Sequence, residues 1–584
     1  MPMNFFVNAT MPKQKSGIEH AQLKRFELFN NHQVDSRIIL RDWDPVAHVN
    51  ANAAGIPDNQ LINMFDYFQE AVTVTPKTLH AQEIEFGVPN VQFADEPANN
   101  RYLVTAQNGQ LVARVNYDAT ADKRVRSTEL FDGYNNLFRV DHYDSRGFAS
   151  LIQWYTTDNQ IGTETWVTPS GRTVIETFNK KTMAGEFVKS GWRLIEHGGH
   201  VMQFDTIEEL TKHFFDRLND DFWSEEQPNV FVLDRSHLGD WGLLHLRKPA
   251  YVVMHLHNSH AGDAQDPMHA ILNNHYEFAM NALDEYDAVV SATHKQTHDV
   301  NERFQPKTRL FTIPVGVVPD RLLQAERMPV ARREFGKVIA FARIAWEKHL
   351  DDLVRAVGIV HKEFPQVTLD LYGYADPADN YKARTSVEEA IREYGLEGVV
   401  TMKGYTTEID AVENNAMMYG LTSRMEGFNL AIMEAISHGL IAFSYDVNYG
   451  PNEIVEDDVN GNVVPYEDYE AMAQAMLKVL RDPDLAQRYS TGAYESSERY
   501  SEENVWHAWR ELLDDAAAVW PAKLAAMPAH AHDLNKEAEW WIILLVKMSL
   551  RSTPAQNMPK LSACNCSQSR ENQRNMSREI IIVS

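Results

Sequence analysis

Short apolar runs alternate with amphipathic segments over most of this 584-residue chain. Between residues 230 and 316, runs of strand length are separated by segments with helical periodicity; they occupy residues 230–236, 250–257, 287–293 and 309–316. Continuous apolar runs are typical of strands that are buried on both faces, and their alternation with helices predicts a parallel sheet.

A second series of the same kind follows a linker near residues 326–336. Its apolar runs occupy residues 338–344, 367–374, 399–405, 416–423 and 441–447. We therefore predict an α/β protein in which two Rossmann-like domains face each other across a cleft. Ligands of open α/β sheets bind beyond the carboxyl ends of the strands, so the cleft is the expected binding site.

The segment from about residue 75 to 205 has a different pattern. Asn108 and Gly109 separate two alternating runs, a strong signal for a β-hairpin, and similar turns follow at residues 145–147 and 169–171. This predicts an antiparallel β module that is inserted into the first domain and is independent of the cleft. The predicted parts are 1–75 and 206–328 for the N-terminal domain, 76–205 for the module, 329–525 for the C-terminal nucleotide-sugar-binding domain and 526–584 for a poorly ordered tail.

Composition narrows the class of protein. Apolar residues make up 44% of the chain, as in globular proteins, and the net charge of −27 argues against nucleic acid as a partner. The two cysteines, Cys564 and Cys566, form no disulfide framework, and the N-terminus lacks a secretory pattern. The longest apolar run, at 540–546, is too short to span a bilayer. We expect a cytoplasmic protein, one that could touch the inner face of a membrane through Trp540 and Trp541.

Two glutamates, Glu426 and Glu434, stand eight positions apart where a loop runs into an apolar helix. Residues eight apart on an ideal helix lie roughly on one face, so both carboxylates could reach one ligand. Gly427 gives the segment a flexible entry, and the first N–H groups of a helix are free to bind an anion or a sugar hydroxyl. An ordinary amphipathic helix with two solvated acids is the competing interpretation.

Two cations lie near the first strand of the second series. Arg343 follows that strand, and Lys348 lies five residues later, where a helix is starting. A cation pair beside a helix N-terminus, at the mouth of a parallel sheet, is suited to a diphosphate. A pair of exposed surface cations is the alternative.

A histidine at the end of the run 250–257 could bond a substrate hydroxyl or stabilise developing charge. Three candidates compete, and the sequence leaves the choice open: His255, His257 and His260. His257 is nearest the end of the predicted strand.

Asp-x-Asp triplets, which hold a divalent ion in many sugar transferases, occur at residues 42–44 and 482–484. The second lies in a segment that connects helices, and the first has no other obvious oxygen ligands in the sequence around it. We interpret both as surface residues and predict that no metal is required.

Together these segments resemble the retaining GT-B glycosyltransferases of family 4. Glu426 and Glu434 match the family's E-x7-E motif, and Arg343 and Lys348 match its R-x4-K donor-phosphate motif. Further similar segments lie at residues 313–317, 371–374 and 461–465. Within the family, the β module and the segments 16–25 and 449–455 are similar to the branch that contains bacterial wall teichoic acid α-glycosyltransferases and the O-GlcNAc transferases of serine-rich adhesins.

The resemblance implies roles for individual residues. Arg343 and Lys348 would neutralise the diphosphate of a UDP-sugar, and Glu434 would hold the ribose hydroxyls. His257 would contact the sugar near the reacting carbon, which makes the implied catalytic set Glu426, His257, Arg343 and Lys348. The implied donor contacts also include Gly17, Tyr405, Glu426, Gly427, Phe428, Asn429 and Leu430.

The expected activity is transfer of α-glucose or α-N-acetylglucosamine from a UDP-sugar to the polyol-phosphate chain of wall teichoic acid, with retention and without a cofactor. The alternatives are an O-GlcNAc transferase that acts on a serine-rich surface protein and a non-catalytic partner subunit; the intact acids and cations argue against the latter. A glycosidase, with carboxylates on either side of the bond, is disfavoured because both acids would lie on one side of the ligand. In relatives of this type the β module mediates assembly and helps to receive the polymer, so the resemblance also implies a homo-oligomer.

Overall fold

The computed structural model describes residues 3–527. Its first part is a parallel strand–helix series made of β1 (Asn4–Asn8), α1 (Gly17–Asn31), β2 (Ser36–Leu40), α2 (Ala47–Asn52), β3 (Leu61–Asn63) and α3 (Met64–Phe68). Helix α1 begins where Ser16 and Glu19 form a capping box: the Ser16 backbone N–H donates to the Glu19 carboxylate over 2.8 Å, and the Ser16 hydroxyl donates to the same carboxylate over 2.6 Å. Strands β2 and β3 were not predicted. Strand β3 runs directly into α3, so the sequence around it shows no separate apolar run.

The second part is one sheet of ten antiparallel strands, each paired with the next along the chain. The strands are β4 (Gln92–Glu96), β5 (Arg101–Thr105), β6 (Leu111–Asp118), β7 (Arg124–Phe131), β8 (Leu137–Tyr143), β9 (Ala149–Tyr155), β10 (Ile161–Val167), β11 (Thr173–Lys181), β12 (Phe187–Ile195) and β13 (Val201–Phe204). Gly109 turns the β5–β6 hairpin with a φ of 82°, a backbone conformation that glycine adopts without strain. The predicted antiparallel β module is confirmed.

The chain then completes the first parallel sheet. The elements are α4 (Ile207–Phe222), β14 (Val230–Leu233), α5 (Asp240–Leu244), β15 (Tyr251–His255), α6 (Glu277–Asn281), β16 (Ala288–Ser291), α7 (His294–Phe304), β17 (Arg309–Thr312) and α8 (Asp320–Leu323). The strand order is β17-β16-β15-β14-β1-β2-β3, and every pair is parallel. We call this sheet and its helices the N lobe. The order reverses at β1, which pairs with β14 on one side and β2 on the other.

The second parallel sheet and the helices that pack on it form the C lobe; the last helix given below, α16 (Glu502–Ala525), only follows them in the chain. The elements are β18 (Lys337–Phe341), α9 (Leu350–Glu363), β19 (Thr368–Tyr372), α10 (Ala378–Tyr394), β20 (Val400–Gly404), α11 (Ile409–Asn415), β21 (Met418–Leu421), α12 (Leu430–Ser437), β22 (Ile441–Tyr445), α13 (Pro451–Ile454), β23 (Gly461–Val464), α14 (Tyr469–Arg481), α15 (Pro483–Ser497) and α16 (Glu502–Ala525). The strand order is β20-β19-β18-β21-β22-β23, again all parallel. The five apolar runs predicted in this half contain β18 to β22.

Helix α16 packs on the N lobe, although the predicted C-terminal domain extends to residue 525. Its apolar side chains join the N-lobe core, where the Trp509 ring lies 5.7 Å from that of Phe29. The Tyr251 hydroxyl donates to Asp515 over 2.6 Å. The predicted boundary at 525 is therefore wrong for this helix: sequence order assigns it to the C lobe, but its apolar face is buried by the N lobe.

The β module is attached to the N lobe through a shared core. At the end near the N lobe, Trp166 and Trp192 belong to the same buried cluster as Phe65 and Phe214. At the far end, a small cluster around Val115 is separate. The module therefore adds to the N-lobe core, and removing it would expose large aromatic side chains to water.

Within residues 3–527, no helix is both long and apolar enough to cross a membrane. The predictions about the apolar run 540–546, Trp540, Trp541, Cys564 and Cys566 fall outside the described residues.

Candidate functional site

A cavity of about 1310 Å³ lies between the carboxyl ends of the strands of the two lobes. All eleven residues to which the sequence assigns a catalytic or donor-binding role line it: Gly17, His257, Arg343, Lys348, Tyr405, Glu426, Gly427, Phe428, Asn429, Leu430 and Glu434. No described residue of the β module does so. The cleft is therefore lined by the two lobes alone. The module contributes no lining residue, although it packs on the N lobe.

Glu426 is held in a loop before α12 and not on the helix. Its Oε1 accepts hydrogen bonds from Lys348 Nζ at 2.7 Å and from Asn429 Nδ2 at 3.0 Å. Asn429 has a φ of 74° and caps the helix by accepting from the Ile432 N–H, so helical geometry starts only at Leu430. Contrary to the prediction from their spacing, Glu426 and Glu434 therefore do not share one helix face, although both line one cavity.

Glu434 lies one turn into α12 and faces the N lobe. Its Oε1 is 3.0 Å from Lys24 Nζ on α1, and both side chains are partly exposed. This ion pair crosses the cavity. A ligand that uses the Glu434 carboxylate must compete with Lys24 for it.

Arg343 lies two residues beyond β18, beside the start of α9. Its guanidinium bonds Glu347 at 2.5 Å and Asp376 at 2.6 Å, and it remains 42% exposed. Burial lowers the pKa of Arg343, but the two carboxylates outweigh this effect and raise it. Arg343 and Lys348 are thus charged groups held at the cavity by carboxylates, and an anion that binds them must compete with those carboxylates.

The loop of Glu426 touches the N lobe at Gly427. A Cβ on Gly427 would lie 2.1 Å from the carbonyl oxygen of His257, so only a residue without a side chain permits this approach. Nearby, the Glu453 carboxylate of the C lobe accepts from the backbone N–H groups of His294 and Lys295, at the N-terminus of α7. The two lobes are therefore in direct contact around the cavity.

Of the three candidate histidines, His257 is the one that lines the cavity, two residues beyond the end of β15. His255 is fully buried, and burial, with His257 beside it, lowers its pKa to about 3. His260 is also buried and bonds the carbonyl of Pro267, and burial lowers its pKa to about 4. The structure therefore favours His257 as the histidine that can meet a ligand.

Behind His257 lies a group that the sequence analysis missed. Asp234, directly after β14, has no exposed side-chain surface, and its carboxylate accepts from His257 Nε2 at 2.8 Å and from Arg25 Nη2 at 2.5 Å. Burial raises the pKa of Asp234, but Arg25 and the two histidines outweigh burial and hold it well below its usual range. The sequence contained one indication of this buried group: two polar residues, Gln22 and Arg25, lie on the face of α1 that is buried.

Two clusters of described residues have the spacing of metal ligands: Asp234 with His255 and His257, and His349 with Asp351 and Asp352. In both, an arginine already bonds the carboxylates: Arg25 bonds Asp234, and Arg355 bonds Asp351 and Asp352. Of the Asp-x-Asp triplets, Asp44 bonds the Val46 N–H and Asp482 caps α15; neither triplet lines the cavity.

Residues 327–496 match the family described as glycosyl transferases group 1. This segment contains the whole sheet of the C lobe. Over 531 residues, 86% of this chain and 97% of the relative, the chain is 24% identical to the GtfA subunit of a UDP-N-acetylglucosamine–peptide N-acetylglucosaminyltransferase from Streptococcus agalactiae. It is 23% identical to a poly(glycerol-phosphate) alpha-glucosyltransferase from Bacillus subtilis, over 88% of this chain and 75% of the relative.

Among solved structures, the chain is similar to the pneumococcal O-GlcNAc transferase GtfA in complex with UDP and GlcNAc. The TM-score is 0.74 with 21% identity, over 88% of this chain and 99% of that one. The prediction of a GT-B fold is confirmed, and the relatives that the chain resembles are of the predicted kind. The roles of the individual residues stay predictions.

Proposed function

We propose that this protein is a retaining glycosyltransferase that moves α-glucose or α-N-acetylglucosamine from a UDP-sugar to the polyol-phosphate chain of a wall teichoic acid. The observation that carries the proposal is the cavity between the lobes, in which two cations and two carboxylates of the C lobe face a histidine of the N lobe. The names of the curated relatives support both the donor and the acceptor class.

The two cations are placed to act on the leaving group. As the bond from the anomeric carbon to the diphosphate breaks, negative charge grows on the diphosphate, and fixed cations stabilise charge where it develops. Lys348 is paired with Glu426, and Arg343 with Glu347 and Asp376, so both are positioned before the donor arrives. The acceptor hydroxyl would attack from the side of the leaving phosphate, which takes its proton, and configuration is retained.

The two acids assigned to the donor, Glu426 and Glu434, both come from the C lobe, which separates the proposed site from that of a glycosidase. A glycosidase needs an acid and a second carboxylate on either side of the scissile bond. Here Glu426 is bonded to Lys348 and Glu434 to Lys24. We assign Glu434 to the ribose hydroxyls and Glu426, with the N–H groups of residues 428–430, to the sugar ring.

A second acceptor class is supported by the relatives that are named as peptide N-acetylglucosaminyltransferases. In that case the hydroxyls would belong to a serine-rich surface protein. A third possibility is a non-catalytic partner subunit. The arrangement of Arg343, Lys348, Glu426 and Glu434 around one cavity favours an enzyme.

One experiment separates these functions. The purified protein is incubated with UDP-glucose or UDP-N-acetylglucosamine, alone, with polyglycerol phosphate, and with a serine-rich peptide, and UDP release and acceptor mass are measured. We expect UDP release that the polymer stimulates. Stimulation by the peptide alone would favour the second acceptor class, and no UDP release from either donor would exclude an enzyme.

We also propose that no divalent ion is needed, since Arg343 and Lys348 supply positive charge at the expected diphosphate position. Activity in excess EDTA equal to activity in Mg²⁺ would support this. Loss of activity in EDTA, restored by Mg²⁺ or Mn²⁺, would contradict it.

The remaining proposals concern assembly and location. We propose that the protein forms a homo-oligomer through the β module. We also propose that it acts in the cytoplasm and contacts the inner face of the membrane, where the polymer is built. Light scattering of the purified protein and flotation with anionic vesicles test the two separately.

A further inference from the structure

Asp234 lies at the centre of a buried network behind the N-lobe wall of the cavity. Its Oδ1 accepts from His257 Nε2 at 2.8 Å, and its Oδ2 accepts from Arg25 Nη2 at 2.5 Å and from Gln22 Nε2 at 2.8 Å. The side chains of Asp234, Arg25 and His257 are each no more than 3% exposed. Only His257 of these three lines the cavity.

The network fixes where the His257 ring carries its proton. An ionised carboxylate can only accept a hydrogen bond, so Nε2 of His257 must be the donor. The other ring nitrogen, Nδ1, makes no hydrogen bond to the part of the chain that the structure describes. It is therefore the nitrogen left for a ligand.

The network also limits the charge on the ring. Arg25 is always cationic and bonds Asp234 directly, so the single negative charge of Asp234 is already matched inside the protein. A second positive charge at His257 would have no buried counter-charge. The Nη1 of Arg25 donates to His255 Nδ1 over 2.9 Å, so the neighbouring histidine is neutral as well.

We propose that Asp234 and Arg25 are positioning residues for His257: together they keep its imidazole neutral, with the proton on Nε2, so that Nδ1 accepts a hydrogen bond from a hydroxyl of the sugar donor. The inference rests on the proposed function, because it assigns the ligand of His257 as a sugar hydroxyl. It predicts that this contact is made by an acceptor nitrogen and not by an imidazolium.

Other charged and titratable groups lie beside the ring or line the same cavity. They are His255 on β15, Tyr276 before α6, Arg235 after β14 and, on the facing lobe, Glu426 and Lys348. Tyr276 Oη accepts from the His257 backbone N–H over 3.1 Å, which holds the main chain and leaves Nδ1 unaffected. Glu426 is bonded to Lys348, so it does not supply a free counter-charge for His257.

The first test reads the tautomer directly. Histidine labelled with ¹⁵N at both ring nitrogens is incorporated, and the signals of His257 are assigned by their loss in His257→Gln. At pH 7.5 we expect a protonated Nε2 and an unprotonated Nδ1, and a downfield Nδ1 shift that changes on addition of a UDP-sugar. A proton on Nδ1, alone or in an imidazolium, would overturn the proposal. This readout needs no activity, so it stands apart from the test of the proposed function.

The second test uses pH profiles of kcat/KM for donor hydrolysis or transfer. Arg25→Gln leaves the Asp234 charge unmatched, which favours imidazolium at His257. We expect the acid limb of the profile to move to higher pH and kcat/KM at neutral pH to fall about tenfold, as for the loss of one hydrogen bond to the substrate. His255→Phe is the matched control, because it changes the same buried network without altering the Asp234–His257 bond.

The outcomes are distinct. A lower melting temperature with an unchanged pH profile in folded Arg25→Gln would mean that the network is structural only and would overturn the proposal. If Arg25→Gln does not fold, Asp234→Asn is examined by NMR, where we expect His257 to lose its preference for the Nε2 proton; an unchanged tautomer would count against Asp234. Inactive wild-type protein would reject the proposed function while the NMR result still decides the tautomer.

Discussion

A buried carboxyl group lies behind each wall of the cavity. One of them stays ionised at neutral pH, whereas the other titrates near pH 7. Asp234, behind the N-lobe wall, is paired with the guanidinium of Arg25, and its pKa is held well below its usual range. Glu413, behind the C-lobe wall, is paired with the imidazole of His438 at 2.7 Å, and burial raises the pKa of Glu413 to about 7. Both side chains are fully buried, so the difference comes from the partner and not from burial.

The partner of a buried carboxyl group therefore determines whether that group gains or loses a proton near neutral pH. A guanidinium stays charged at every pH, so the Asp234 carboxylate stays ionised and fixes the His257 ring. An imidazole and a carboxyl can exchange or lose a proton near neutral pH. His438 follows α12, which carries Glu434, so the titrating pair lies under the predicted ribose contact. The N-lobe wall is therefore fixed in charge, and the C-lobe wall is not.

The largest effect is expected from Lys348→Ala, which removes a charge of the C-lobe wall directly at the predicted diphosphate. Turnover should fall by roughly two to three orders of magnitude, as for single groups that stabilise developing charge. The matched control is Lys362→Ala at the exposed far end of α9. Steady-state kinetics of both variants measure the difference. Full turnover in a folded Lys348→Ala protein would contradict the role of Lys348.

The contact between the walls is tested by Gly427→Ala. A Cβ there meets the His257 carbonyl oxygen at 2.1 Å, so the Glu426 loop and the His257 loop must separate. We expect kcat/KM to fall about a hundredfold, because displacement of about 1 Å at a reacting centre costs that much. Gly133→Ala, where the nearest atom lies at 3.5 Å, is the control, and native activity in Gly427→Ala would show that the walls tolerate separation.

Much of this architecture could be predicted from the sequence, and the exceptions have physical reasons. Strands β14 to β22 are short apolar runs with helices between them, and the residues at their ends converge because parallel strands end at one edge. Asp234 and Arg25 could not be linked, since they are 209 positions apart and only the parallel pairing of β1 and β14 brings them together. Glu426 was misplaced on a helix because the left-handed backbone at Asn429, which delays the helix start, leaves no periodic signal.

The two buried carboxyl groups, Glu413 and Asp234, predict different dependences of the folding stability on pH. Folded Glu413 keeps its proton up to about pH 7, whereas an unfolded glutamate loses it near pH 4.5, so stability falls as pH rises between these values. Asp234 has a lowered pKa, and its contribution is lost only when pH falls below the usual range of an aspartate.

Glu413→Gln should therefore flatten the fall in thermal stability between pH 5 and pH 8, by roughly 2 kcal/mol across that range. Melting curves of the wild type and the variant at several pH values measure it. Asp221→Asn, at an exposed bond to Tyr67, is the control and should leave the slope unchanged. A variant that keeps the full slope would show that Glu413 does not titrate in this range.

The smallest effect is expected at the ion pair that joins the walls, between Lys24 and Glu434. Both side chains are partly exposed, at 22% and 29%, and pairs of this kind contribute at most about 1 kcal/mol. Lys24→Met frees the Glu434 carboxylate for a ribose hydroxyl, so UDP should bind about two- to fivefold more tightly by calorimetry. In 1 M salt, which screens the pair, the wild type should approach the variant. Weaker binding by Lys24→Met would mean that Lys24 itself holds the nucleotide, and the N-lobe wall would then supply charge to the donor as well as a neutral histidine.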